Sequence, residues 1–126
     1  MKSGLSCRPA GPVADAAYAR RAAERRAGVL PRTIAALEAL ASRGVDAGVI
    51  GSVARDEVLP HSDVDFLILD GSGVGWPEIV GIVENHVYPA APVYVLFLDS
   101  VRPERRHRFR KDLRRARDLR RLLVTA

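Results

Sequence analysis

Two short apolar runs, Phe66-Leu67-Ile68-Leu69 and Val93-Tyr94-Val95-Leu96-Phe97, constrain the fold more than any other feature of the chain. Each is too short for a helix and lacks the polar alternation of a strand with one wet face. Such runs are strands buried on both faces, which requires a sheet covered by helices. The reading places one strand over "DVDFLILD", 63–70, another over "APVYVLFLD", 91–99, and a third, short one over "VDAGVIG", 45–51. Helical patterns separate them. "VADAAYARRAAERRAGVL" is Ala- and Arg-rich; "PRTIAALEALASRG" opens on Pro31 and closes on Gly44, with Ile34, Leu37, Leu40 and Ala41 at helical spacing. Residues 52–59 read as a short helix or turn, and "WPEIVGIVENHVY", 76–88, as a helix that Trp76 anchors against the sheet. From Pro103 to Leu123 a single long helix is expected, with Phe109, Leu113, Ala116, Leu119, Leu122 and Leu123 on one side and arginines elsewhere. The order ααβαβαβα predicts an α/β (α+β) domain, a small sheet flanked by helices, over residues 13–126. Residues 1–12, "MKSGLSCRPAGP", read as a flexible leader.

A length of 126 residues supports one modest core. No stretch approaches the roughly 18 apolar residues of a membrane span, and the leader has no apolar segment of a secretion signal. Cys7, the one cysteine, forms neither an internal disulfide nor a metal site, and the chain is read as cytoplasmic. The net charge of +5 is unevenly spread: Arg102–Arg121 carries a net +8, so the remainder is mildly acidic.

The acidic body contains one pairing that needs an explanation. Asp63 and Asp65 stand one residue apart at the start of a strand, where residues i and i+2 project from the same face. Two carboxylates side by side repel unless a cation lies between them, and Mg²⁺ (or Mn²⁺), which accepts one or two carboxylates and completes its shell with water and phosphate oxygens, is the natural answer. Upstream, Gly51 lets a ligand approach the backbone closely. Ser52 offers a hydroxyl and a helix cap, and Arg55 in the first turn is placed to pair with phosphate oxygens. A D-x-D or a Gly-Ser alone is most often a solvated turn; the two separated by ten residues and followed by an apolar strand are far more specific.

The stretch G-S-V-A-R-D-E-V-L-P-H-S-D-V-D, residues 51–65, resembles the signature of the DNA polymerase β-like nucleotidyltransferase superfamily, and most closely that of its minimal nucleotidyltransferases, through Gly51, Ser52, Ala54, Arg55, Ser62, Asp63 and Asp65. Asp56 stands where the pattern usually has glycine. The resemblance covers about residues 31–100. It implies a mixed sheet with helices on one side, ATP or another NTP bound at Gly51, Ser52, Arg55 and Ser62, and the metal on Asp63 and Asp65. It also implies transfer of a nucleoside monophosphate to a hydroxyl acceptor. Many minimal members are antitoxins paired with a HEPN-domain RNase toxin, which makes such a toxin the implied partner.

Active members carry a third carboxylate on a later strand, as base for the acceptor hydroxyl and as a metal ligand. Aligned on "VYVL", that position falls on Tyr94, and Asp99 serves only if the strand register shifts. Two readings stay open: a working transferase with Asp63, Asp65 and Asp99 as its acids, or an impaired transferase fold kept as an interaction module. The Arg-rich helix, 103–123, suits docking on an acidic partner or self-association better than nucleic acid, because Phe109 is its only aromatic; nucleic-acid binding would be weak and salt-sensitive. His61 lies close enough to Asp63 in sequence to touch a phosphate, but is more simply an exposed loop residue.

Overall fold

The computed structural model describes residues 11–125. Residues 1–10 of the expected leader, with Cys7, lie outside this part. The elements run α1 (Gly11–Ser42), β1 (Asp46–Ile50), α2 (Gly51–Ala54), β2 (Val64–Asp70), α3 (Trp76–Val87), β3 (Val93–Phe97), a 3-10 turn (Leu98–Ser100), α4 (Pro103–Asp112) and α5 (Ala116–Thr125).

The three strands form one mixed sheet in the order β1-β2-β3, with β1 antiparallel and β3 parallel to β2. Alternation along the strands divides the sheet into two faces. On one face Ala47, Val49, Val64, Phe66 and Ile68 join Val29, Leu30, Ile34, Leu37 and Leu40 of α1, Ile79, Val83 and Val87 of α3, and Leu119 of α5 in the main core. On the other, Ile50, Leu67 and Leu98 form a small second core with Leu69, Leu96, Phe109 and Leu113. The apolar run of β2 is thus covered on both sides, whereas β3, an edge strand, is only half-buried and leaves Tyr94 exposed, so the expected burial on both faces does not hold for it. Among the described residues no helix is long and apolar enough to cross a membrane.

Three further expectations are corrected. The two N-terminal helices are one, α1, with Pro31 inside it. Pro31 is exposed while Val29, Leu30, Thr33 and Ile34 around it are buried, so the face of α1 that packs on the core begins just before the proline and continues past it, which outweighs the proline's local cost. The C-terminal helix, expected to be continuous over 103–123, is broken at Leu113–Arg115. There Arg114 exchanges two backbone hydrogen bonds of 2.9 Å with Val49, as a short antiparallel bridge along the outer edge of β1. Gly48 admits this bridge: a Cβ at that position would stand 2.6 Å from Leu113 Cδ1 and 2.7 Å from the Arg114 carbonyl oxygen. The break sends α4 over the second face, so the helices are not confined to one side as the resemblance implied. Finally, Trp76 anchors nothing against the sheet; it is 66% exposed.

Candidate active site

Gly51 leaves β1 with φ +78°, a conformation that L side chains rarely adopt, and turns the chain into the single turn α2. The turn passes directly beneath Asp65: a Cβ on Gly51 would stand 2.7 Å from Asp65 Oδ2. Asp65 is the second residue of β2 and pairs with Ile50 on one side and Tyr94 on the other. It shares the second face with Leu67 and Leu69, while Val64 and Phe66 face the main core. Asp63 lies one residue before β2, half-buried like Asp65. Burial first, and then the charge of Asp63, push the Asp65 carboxyl above its ordinary range, with Arg55 pulling the other way. The two acids are thus close enough to repel, and among the described residues neither forms an ion pair. Partial desolvation, mutual repulsion and hard oxygen donors beside a backbone that has given up its Cβ fit a divalent cation held by Asp63 and Asp65. Among the described residues no group of three His, Cys, Asp or Glu side chains is arranged to hold a metal, so the remaining ligands of such an ion have to come from water or substrate.

The other expected residues are distributed less simply. Ser52 sits inside α2, half-buried, with a hydroxyl that bonds no other described group; the residue flanking the helix is Ile50, so Ser52 is not its cap. Arg55 closes α2 rather than opening it. Its guanidinium donates to Glu57 Oε1 at 2.8 Å, and that bond, with the more distant charges of Asp112 and Asp65, raises its pKa further. Ser62 is buried and its Oγ accepts from the Leu59 amide at 2.7 Å, which closes the turn before Asp63 and leaves its O–H as the group that could still donate. Asp99 is not brought to the acid pair. Tyr94 is the neighbour of Asp65, and Asp99 lies beyond Phe97, on the 3-10 turn, at least about 10 Å further along the sheet. Tyr94 itself projects from the same face as Asp65 and is 61% exposed.

Three residues that the sequence reading passed over shape the site. Arg25 of α1 donates to the Ser62 carbonyl through Nε and Nη2 (3.2 and 3.1 Å) and to the Ala90 carbonyl through Nη1 (2.8 Å). It thereby ties the segment entering Asp63 to the segment entering β3. Arg26 donates to Asp56 Oδ1 at 2.7 Å. Asp56 has φ +56°, which explains why glycine is usual there and why a short polar side chain pinned by an arginine is tolerated. Asp112, the last residue of α4, reaches the neighbourhood of Arg55 because the Val49–Arg114 bridge draws that helix end toward Gly51. Nothing in an Ala/Arg-rich helix marks Arg25 or Arg26, and Asp112 is invisible as long as 103–123 is read as one helix.

In a comparison against known families the model of the nucleotidyltransferase domain matches residues 30–120, a span that contains the Gly51 turn, the acid pair and all three strands. The chain belongs to the nucleotidyltransferase domain family. Its general chemistry is accordingly nucleotidyl transfer, with an NTP as the substrate class. A search of curated proteins and a search of solved structures each returned no match. Within the family domain, Gly51 to Asp65 provides the acid pair and the turn beneath it, and β3 provides Tyr94.

Proposed function

We propose that this nucleotidyltransferase domain binds a Mg²⁺–NTP, with ATP as the nucleotide, and transfers its nucleoside monophosphate to a hydroxyl on another molecule. The observation that carries the reading is the left-handed Gly51 turn packed under Asp65, with Asp63 alongside. Asp63 and Asp65 would hold the ion, which when bound neutralises phosphate charge and polarises the reacting phosphoryl group. Gly51 leaves room for phosphate against the backbone, and the unpaired Ser52 hydroxyl donates to a phosphate oxygen. The acceptor oxygen forms its bond to the α-phosphorus as the bond to pyrophosphate breaks, with in-line geometry enforced by positioning alone. The resemblance to minimal nucleotidyltransferases adds a HEPN-type toxin as the acceptor partner. Calorimetric titration with Mg-ATP tests the binding step: heat for the parent and none for Asp63→Ala/Asp65→Ala is expected, and equal heat for both refutes it.

A second reading, an impaired transferase fold acting as an interaction module, is favoured by one observation. The strand neighbour of Asp65 is a tyrosine, which supplies neither a base at neutral pH nor a good metal ligand. Tyr94→Asp discriminates between the two. If the site is a transferase lacking its third acid, the variant transfers label from ATP at least about 100-fold faster than the parent, the low end of general-base contributions. If it is a module, neither protein transfers label to any acceptor.

A further inference from the structure

We propose that α4 and the groove beside it form a binding surface for single-stranded nucleic acid. The break at Leu113–Arg115 divides the arginines into two populations. From Arg115 onward three of the four arginines are paired at the surface, Arg115 with Asp46, Arg120 with Glu38 and Arg121 with Asp118, and Arg117 alone has no ion pair among the described residues. Those of α4 and its entry are not. Arg102, Arg105, Arg108, Arg110 and Lys111 are exposed, and among the described residues none has a carboxylate within ion-pair reach. The helix buries none of its residues. Five unneutralised cations along about 15 Å of helix repel one another and attract a polyanion.

The break also removes the case for a protein partner. The apolar stripe that suits docking is consumed within the molecule: Phe109 and Leu113 pack on the second face, and Ala116, Leu119 and Leu122 on the main core, which leaves Leu123 exposed on α5, away from the cations. Phe109, half-buried in the floor of the groove, is the one apolar side chain that α4 presents, too little to concentrate affinity at a protein interface, whereas a phosphate backbone needs mainly the charges. The groove specifies the form of the strand. Leu96, Val101 and Phe109 floor a cavity of about 390 Å³, and Ser100, Arg102 and Arg105 edge it. An apolar floor between guanidiniums suits one unstacked base with phosphates on either side, and a duplex keeps its bases out of such a groove. With Phe109 the one aromatic there, little sequence preference is expected.

The groove lies on the same sheet face as Asp65, so the test runs on the full chain in EDTA, which keeps a metal at the acid pair out of the readout. Fluorescence anisotropy with a labelled, mixed-sequence, single-stranded RNA of roughly 12 nucleotides, within the usual range of site sizes, should give a log–log salt slope of about −3.5, from five contacts at about 0.7 each. Affinity should fall about 100-fold between roughly 50 and 200 mM salt. Arg105→Ala/Arg108→Ala should reduce the slope by about 1.4 and leave the thermal midpoint in place. The proposal is overturned by any of four results: no binding at low salt, a slope indifferent to the double arginine substitution, duplex RNA bound as tightly as the single strand, or displacement by polyglutamate as ready as by unlabelled RNA.

Discussion

Gly51→Ala is the most searching single change, because two distinct costs meet at one atom. The residue holds φ +78°, and an L side chain in the left-handed region costs about 1–2 kcal/mol. The smaller entropy of an alanine in the unfolded chain returns about 0.4–1 kcal/mol of that. The new Cβ also stands 2.7 Å from Asp65 Oδ2. That neighbour is the end of a side chain, so the contact is relieved by turning the carboxylate away from Asp63 rather than by moving backbone. The net loss of stability should therefore be modest, about 1–2 kcal/mol, read as a lower urea midpoint with an unchanged m-value. The loss of Mg-ATP affinity should be disproportionate, at least about tenfold, because the displaced group is the one that holds the ion. Repeating the substitution in an Asp65→Ala background separates the costs: the backbone penalty stays and the steric part disappears, so the variant is less damaging there. Equal stability of parent and Gly51→Ala, or an equal penalty in both backgrounds, would refute the reasoning that this glycine exists to let Asp65 overhang the turn.

Gly48→Ala should cost about 2–4 kcal/mol by urea denaturation, since its Cβ would meet Leu113 and the Arg114 carbonyl within 2.8 Å and displace a bridge of two backbone hydrogen bonds worth about 0.5–1.5 kcal/mol each, along with the packing of Leu113. Arg25→Ala removes three hydrogen bonds that join the Ser62 and Ala90 carbonyls; a loss of about 2 kcal/mol is expected, with weaker Mg²⁺ binding, whereas Arg25→Lys, lacking the fork, should recover stability only in part. Metal-free Asp65→Asn should be more stable than the parent near neutral pH, by an increment that shrinks on acidification toward pH 4. The folded Asp65 carboxyl is raised above the ordinary 3.8 by burial and by Asp63, so its contribution to stability is complete below the unfolded value and is lost as pH rises through the folded one. Thermal melts across pH 3–8 in EDTA check this, and a parent more stable than the variant at pH 7 would contradict it.

What could be read in the sequence, and what could not, follows from the range of the interactions. The strands were legible because their continuous apolar runs cannot hide in composition, although burial on both faces does not extend to β3. The acid pair was only partly legible: Asp65 takes its place in the sheet between Ile50 and Tyr94, whereas Asp63 lies one residue before β2, outside the ladder that was to fix its direction. Asp99 went astray because its use depended on a strand register, which a partner strand sets and the residue's own neighbours do not; once Tyr94 pairs with Asp65, Asp99 is carried past the end of β3. The helix errors have a common origin as well. Proline at position 31 signals a boundary to local rules, yet the buried face that begins just before it continues past it, and packing overrides the local signal. At 113–115 no breaker occurs at all, and the helix stops because a glycine sixty-five residues earlier has left room for a backbone bridge on the edge of β1. That distant cause has the largest functional consequence in the molecule. A continuous helix would offer one mixed face of leucines and arginines, suited to a protein partner. The broken one packs Leu113, Leu119 and Leu122 against the fold, pairs Arg115, Arg120 and Arg121 of its second half and leaves the arginines of its first half beside an apolar groove, so the partner we propose for the surface changes with the placement of one missing Cβ.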